Sequence, residues 1–259
     1  MINPQQLIAP LAEAAHAIMK VYNTADFKSV TSYKEDLSPL TEADKASHRI
    51  ITSYLQKNHE HMPILSEEGQ ISSYEERKSW KDYWLLDPLD GTKEFLKRTG
   101  HFSINLSLMS GSEPVAAWIY VPVENICYWA VRGMGAFKTN ATNDTIPIQV
   151  RKHSLQPKPQ VVILSSASHA SPEEEPYYRS FEVQKIIKMG SAIKFGLLAE
   201  GKGDFYVRFR PTMEWDTAAG QLIVEEAGGE LLGLDGQRFT YNRASLYNKG
   251  FVCKAIFEP

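Results

Sequence analysis

The sequence predicts an α/β protein with helices packed on both faces of a sheet. Three observations carry the prediction. Beyond residue 160, short apolar runs alternate with helical stretches. Residues 102–108, 115–120 and 126–130 form three runs separated by Gly, Pro and acidic turns, the pattern of an antiparallel meander. Residues 83–95 read in succession as a buried strand, a tight turn and a helix start.

The chain of 259 residues is long enough for one large domain or two intimate subdomains, and 43% hydrophobic residues supply a substantial core. A net charge of -3 argues against a general polyanion-binding surface, so no nucleic-acid polymer is expected as a partner. Cys127 and Cys253 are far apart and lack zinc-ligand spacing, which points to packing roles in a reduced compartment. The N-terminus has no basic start of a secretory signal, and no run of about 18 apolar residues suits a spanning helix. A soluble, cytoplasmic protein is the expectation.

From the N-terminus, Leu7, Leu11, Ala15, Ile18 and Val21 recur at helical spacing within residues 4–22. The polar face is not markedly basic, which favours packing on the protein's own core; peripheral contact with the cytoplasmic face of a membrane stays open. Thr41 reads as an N-cap, with Asp44 at the third helical position closing a capping-box pair. Ile50, Ile51, Tyr54 and Leu55 continue that helix. Residues 63–65 form a short strand followed by Glu67 and Glu68, positions suited to a metal site or to a solvated loop.

The strand over residues 83–86 is expected to end at Asp87-Pro88, because proline removes a ladder donor. Asp87 and Asp90 offer oxygen ligands to a hard divalent cation. Gly91 permits unusual backbone angles and close ligand approach, and Thr92 starts a helix whose free N–H groups suit a phosphate. Cation and phosphate sites side by side point to metal-assisted phosphoryl chemistry; an acidic turn with a helix cap is the plainer alternative. Residues 133–137 read as a glycine-punctuated turn. The polar stretch 138–160 reads as a boundary, dividing the chain into 1–140, with the main metal and phosphate site, and 141–259.

In the second half, strands are predicted at 161–164, 182–187, 205–208 and near 251–253, and helices at 172–181, 192–200 and 217–227. Ser191 and Lys194 stand at a helix start where both can face an anion; a lysine there is unfavourable for the helix dipole without one. Asp216 precedes Thr217-Ala218-Ala219-Gly220, small residues that allow close packing or close ligand approach, with a simple N-cap as its plainer role.

Taken as one ordered set, Glu67, Asp87 and Asp90 with Gly91-Thr92, and Asp216 resemble the inositol monophosphatase superfamily of magnesium-dependent, lithium-sensitive phosphatases. Asp-Pro-Leu-Asp-Gly-Thr and Trp-Asp-x-Ala-Ala-Gly in one chain carry the resemblance, which covers nearly its whole length. The segment from Ser38 to Asp44, the segment from Leu65 to Glu68, the continuation Lys93-Glu94-Phe95 and the run 190–201 are similar to the 3'(2'),5'-bisphosphate nucleotidase branch of the bacterial CysQ type. Inositol monophosphatases usually have Thr-Asn in place of Lys93-Glu94 and lack the Ser-x-x-Lys of Ser191 and Lys194. Ala192 and Ile193 stand where this branch often has Ser and Leu, and Tyr247 and Lys249 replace a usual Leu and Pro.

The resemblance implies a layered α/β/α/β/α sandwich, like that of inositol monophosphatase and fructose-1,6-bisphosphatase. It implies hydrolysis of adenosine 3',5'-bisphosphate to AMP and phosphate, in sulfate assimilation and nucleotide salvage. It implies two or three Mg2+ ions: Glu67, Asp87 and the Leu89 carbonyl on the first, Asp87, Asp90 and Asp216 on the second, and a weaker third near Glu67. Thr92, polarised through Asp44, would orient the attacking water with Glu67, and the amides of Gly91 and Thr92 would hold the phosphoryl group. Ser191, Lys194, His169 and Arg208 would contact the nucleotide or its second phosphate, with Asp216 also beside the substrate. The alternatives are an inositol monophosphatase or another small phosphate-ester phosphatase and, more remotely, a non-catalytic metal-binding relative, against which the complete carboxylate set argues. Monomer and homodimer both stay open.

Overall fold

The structure, a computed structural model, describes residues 3–24, 31–33, 39–168 and 170–259. Five α-helices matter for the site: α1 (Ile8–Tyr22), entered through a 3-10 turn at Pro4–Leu7, α2 (Glu42–Asn58), α3 (Thr92–Leu96), α4 (Ile193–Ala199) and α5 (Glu214–Glu226). A seven-stranded sheet runs in chain order: β1 (Ile64–Ser66), β2 (Asp82–Asp90), β3 (Ser103–Ser110), β4 (Glu113–Val121), β5 (Ile126–Val131), β6 (Gly135–Thr139) and β7 (Thr145–Ile148). Only β1 and β2 are parallel; the rest is the antiparallel meander. The second sheet contains β8 (Gln160–Ser166), β9 (Glu182–Met189), β10 (Phe205–Arg208), β11 (Glu230–Gly233) and β12 (Phe251–Lys254), in the order β9-β8-β10-β12-β11.

The apolar faces of these elements stack them into layers. Leu7, Leu11 and Ile18 of the first helical segment and Ile51 and Leu55 of α2 bury against Trp84, Leu106 and Trp118 of the first sheet. The apolar stripe of α1 is therefore used inside the protein, while Glu13, His16 and Lys20 are exposed. Among the described residues, no helix is long and apolar enough to cross a membrane. Between the sheets lie α4 and α5: Ile193, Phe195, Leu222 and Ile223 pack on Ile119 and Tyr128 from one side and Leu164, Tyr206 and Phe251 from the other. Tyr178, Phe181 and Phe257 cover the far face at Val161, Ile163 and Phe205. The result is helix, sheet, helix and sheet, with the far face of the second sheet covered by the segment around a 3-10 turn at Pro172–Tyr177 and by Phe257. Cys127 and Cys253 are both buried and unpaired.

Several elements differ from the sequence-based expectation. The outer helix over 172–181 is only a 3-10 turn, Pro172–Tyr177, with Pro176 inside it, where no α-helical donor exists. The glycine-rich stretch at 133–137 passes into β6, and the first sheet extends to Ile148. The strand β11 has only four residues and sits in a glycine-rich segment. Helix α5 begins at Glu214, so Asp216 lies inside its first turn rather than at the N-cap.

Gly220 marks the place where α5 passes α4. A Cβ there would fall inside the ring of Phe195, so the small residues after Asp216 serve close helix packing at this point. Gly220→Ala should therefore overpack the central layer by roughly 1–3 kcal/mol. A chain of this size would show it as a melting temperature lower by about 2–4 °C per kcal/mol. An unchanged melting temperature would contradict the packing.

Candidate active site

Strands β1 and β2 run parallel, so their C-terminal ends emerge on the same side. Glu67 leaves β1 there, with its N–H donating to the Leu86 carbonyl at 3.1 Å. Strand β2 does not stop at Pro88 as expected. It continues to Asp90 through an irregular register: Asp87 faces Asn105 and Asp90 faces Ser103, three steps against two. Proline is tolerated because it sits in this bulge, where no ladder donor is required.

The bulge is secured on both sides. The Leu89 N–H donates to Asp87 Oδ1 at 3.1 Å, and Ser47 Oγ donates to the Pro88 carbonyl at 2.7 Å. Asp90 Oδ2 accepts from the Ala192 N–H at 2.6 Å and from Asn105 Nδ2 at 3.3 Å. Asp216 Oδ2 accepts from the Met213 N–H at 2.8 Å, which holds the carboxylate within the first turn of α5. Ligand oxygens of Asp87, Asp90 and Asp216 lie within 4.8 Å of one another.

These carboxyls carry unbalanced charge. Burial raises Asp87 well above the usual carboxylate range, and the charges of Glu67, Asp90 and Asp216 add to it. Burial does the same to Asp216, with Asp90 and Glu67 adding. Asp90 is also raised by burial, against the opposing charge of Lys194. An all-oxygen, acid-rich cluster of this kind fits a hard divalent cation, which would offset the burial that lifts all three groups and the repulsion that adds to it at Asp87 and Asp216.

The carboxylates open onto a cavity of about 310 Å³. Glu67, Asp87, Leu89, Asp90, Gly91, Thr92, Ser191, Arg208 and Asp216, all singled out in the sequence, line it. Gly91 stands at a φ of 94°, and a Cβ there would come within 2.9 Å of the His101 carbonyl, so the turn into α3 needs glycine.

Two expected residues take other positions. Asp44 is buried and closes a capping box with Thr41: Oδ2 accepts from the Thr41 N–H at 2.8 Å and from Thr41 Oγ1 at 2.5 Å. Its carboxyl is pushed up to about 6 by burial, which outweighs the Thr41 bonds, with Glu68 and Glu67 adding. Thr92 Oγ1 donates to the Leu89 carbonyl at 3.3 Å. Lys194 is buried below the cavity, and its Nζ donates to the carbonyls of Ser191 at 2.6 Å and Met189 at 3.0 Å. The ammonium also lies 4.8 Å from the centre of the Tyr206 ring, and burial lowers it to about 7. His169 lies outside the described residues.

Tyr206, Ser166 and Glu94 also line the cavity, and the sequence motifs assign none of them a role. Tyr206 hydrogen-bonds the Arg208 side chain, and its phenol is pushed up to about 12, by burial first. The signal for it was available: residues two apart on a strand share a face, so Tyr206 accompanies Arg208.

A model of the "Inositol monophosphatase family" matches residues 5–254. The chain is 39% identical to the 3'(2'),5'-bisphosphate nucleotidase CysQ of Buchnera aphidicola, over 96% of this chain and 92% of that one. It is 40% identical to the protein of the same name from Escherichia coli K12, over 92% and 94%. Its structure superposes with a TM-score of 0.84 on CysQ from Bacteroides thetaiotaomicron, described as a bacterial member of the inositol monophosphatase family, at 35% identity and 98% coverage of both chains. With the carboxylate cluster at the parallel strand ends, these likenesses lead to one conclusion: the chain belongs to the inositol monophosphatase family.

Proposed function

We propose that this protein is a Mg2+-dependent 3'(2'),5'-bisphosphate nucleotidase that hydrolyses adenosine 3',5'-bisphosphate to AMP and phosphate. The observation that carries the reading is the meeting of Glu67, Asp87, Asp90 and Asp216, from separate segments, on one cavity that Arg208 also lines. Identities of 39–40% to relatives named for this activity support the substrate class.

Glu67, Asp87, Asp90, Asp216 and the Leu89 carbonyl would hold the ions. Bound Mg2+ supplies a water of lowered pKa and neutralises charge on phosphoryl oxygens. Asp87 and Asp90 are pre-oriented by backbone N–H donors of Leu89 and Ala192. The N–H groups of Gly91 and Thr92, at the start of α3, face the transferred phosphoryl group, whose transition state needs charge stabilisation more than covalent help. Glu67 and the Thr92 hydroxyl orient the attacking water. Asp44 supports this end of the site through its capping box with Thr41, which fixes the start of α2 beside Glu67 and Glu68. Ser191 and Arg208 meet the nucleotide and its second phosphate, with Arg208 steadied by Tyr206. Lys194 adds positive charge from below.

Phosphate release with Mg2+ from adenosine 3',5'-bisphosphate, inositol 1-phosphate and fructose 1,6-bisphosphate tests the reading. The nucleotide should be preferred. Preference for inositol phosphate would keep the metal chemistry and remove the nucleotide assignment, and no release from any substrate would remove both. Glu67→Ala, Asp90→Ala and Asp216→Ala should each lower kcat/KM by more than about 100-fold, beyond the range of outer-shell changes, with the fold retained by circular dichroism. Near-normal turnover in any of the three would remove that residue from the metal set.

The raised carboxyls also fix a pH dependence. A folded-state pKa above the unfolded value means that the folded state binds more protons, so stability falls as pH rises through that window. Asp87, Asp90 and Asp216 all shift in this direction. The melting temperature of EDTA-treated protein should therefore be lower at a higher pH than at one near the ordinary aspartate value of about 3.9. Mg2+ should raise it more at the higher pH, because the ion binds the ionised carboxylates. Equal Mg2+ stabilisation at both values would contradict this origin.

A further inference from the structure

Glu94 follows Gly91 and Thr92 on α3, yet the chemistry proposed above gives it no task. Its side chain is only 7% exposed and lines the cavity. A buried carboxylate is unfavourable unless it is bonded. Here Oε1 accepts from Ser168 Oγ at 2.6 Å, a charge-assisted bond between the α3 side of the cavity and the loop that leaves β8.

The stem of Glu94 runs against Gly190. A Cβ at Gly190 would lie 2.5 Å from Glu94 Cγ and 2.7 Å from the His101 carbonyl, so the two chains meet at a distance that only glycine permits. Neighbouring bonds extend this contact. The Ala167 N–H donates to the Met189 carbonyl at 3.1 Å, and Lys194 Nζ donates to that same carbonyl and to that of Ser191. Ser191 itself adopts a left-handed φ of 51°, a conformation that surrounding contacts must hold in place. One network thus joins Glu94, the 166–168 loop, the end of β9 and the Gly190-Ser191 turn. Ser166 and Ser191, carried by that loop and that turn, line the cavity.

We infer that Glu94 is a positioning and specificity-determining residue: bonded to Ser168 and seated on Gly190, it sets the nucleotide-side wall at the spacing that a substrate with two phosphates requires. This rests on the nucleotidase reading. Asp87 and Asp216 are oriented by bonds outside this network, and Asp90 is also held by Asn105 on the first sheet, so loss of the latch acts on substrate fit and leaves the metal end in place.

The test is steady-state kinetics on adenosine 3',5'-bisphosphate, with competitive inhibition by inorganic phosphate as a probe of the metal end. Glu94→Ala and Ser168→Ala should each raise KM roughly tenfold, the scale of one charge-assisted hydrogen bond, with kcat within about twofold. The double variant should be no worse than Glu94→Ala alone, since both remove one interaction. Glu94→Gln keeps an acceptor at Oε1 and should restore most of the affinity. The phosphate inhibition constant should stay unchanged throughout. A fall in kcat at constant KM, a phosphate constant that moves with KM, or a wild-type Ser168→Ala would overturn the proposal. If Glu94→Ala does not fold, Ser168→Ala decides it alone. A wild-type enzyme that does not turn over the nucleotide removes the parent reading, and this one with it, before any variant is compared.

Discussion

The site depends on a parity constraint in one strand. Successive side chains of a strand point to opposite faces, so two aspartates three residues apart would be separated by the sheet. The bulge in β2 cancels this. Asp87 opposes Asn105 and Asp90 opposes Ser103, and residues 105 and 103 on the regular partner strand share a face. One extra residue therefore brings both carboxylates to the same side. Pro88 and Leu89 fall in the interrupted stretch of the register, and the Pro88 carbonyl is held by Ser47 from α2. Proline here is part of the device that makes a two-aspartate site from a strand.

The rest of the molecule closes around that pair. Glu67 arrives because β1 is parallel to β2 and ends one residue before it. Asp216 arrives because α5 lies between the two sheets, with its first turn at the same edge. Asp90 is also one of the links between halves: its Oδ2 accepts from the Ala192 N–H just before α4, so a carboxylate of the first sheet ties down the start of a helix of the second half. Packing of α5 on α4 through Gly220 fixes how the helix-borne and strand-borne carboxylates face one another. Mutual repulsion of those groups is the counterpart of this convergence, and it is what a bound cation would relieve.

Much of this was legible in the residues, and the gaps have physical causes. The alternating runs of the meander and the helical stripes of α1 and α2 report burial on one face, which is a local property. The carboxylates were legible because an acidic residue at the end of an apolar strand has few structural uses. The bulge was not: proline removes a donor, and only the register of β3 reveals that this donor was not needed. The start of α5 was read late because Asp216 resembles an N-cap, while the helix actually begins at the buried Glu214, held by the N–H groups of Asn242 and Arg243, remote in sequence. Thr41 and Asp44 were read correctly as a capping box, since that motif is complete within four residues.

Lys194 shows where a local argument reaches its limit. A lysine in the first turn of a helix opposes the dipole, and an anionic ligand is one way to offset that. Here the ammonium is satisfied by the carbonyls of Met189 and Ser191, just before the helix, and by the face of Tyr206. Asp90, Glu94 and Glu174 favour its charged form against burial. Its charge thus lies one layer below the cavity, where it braces the turn that carries Ser191. Arg208, anchored by Tyr206, lines the cavity itself. The division matches the chemistry of the two residues: a planar guanidinium presents paired donors to a phosphate, while an ammonium directs its donors to several separate carbonyls.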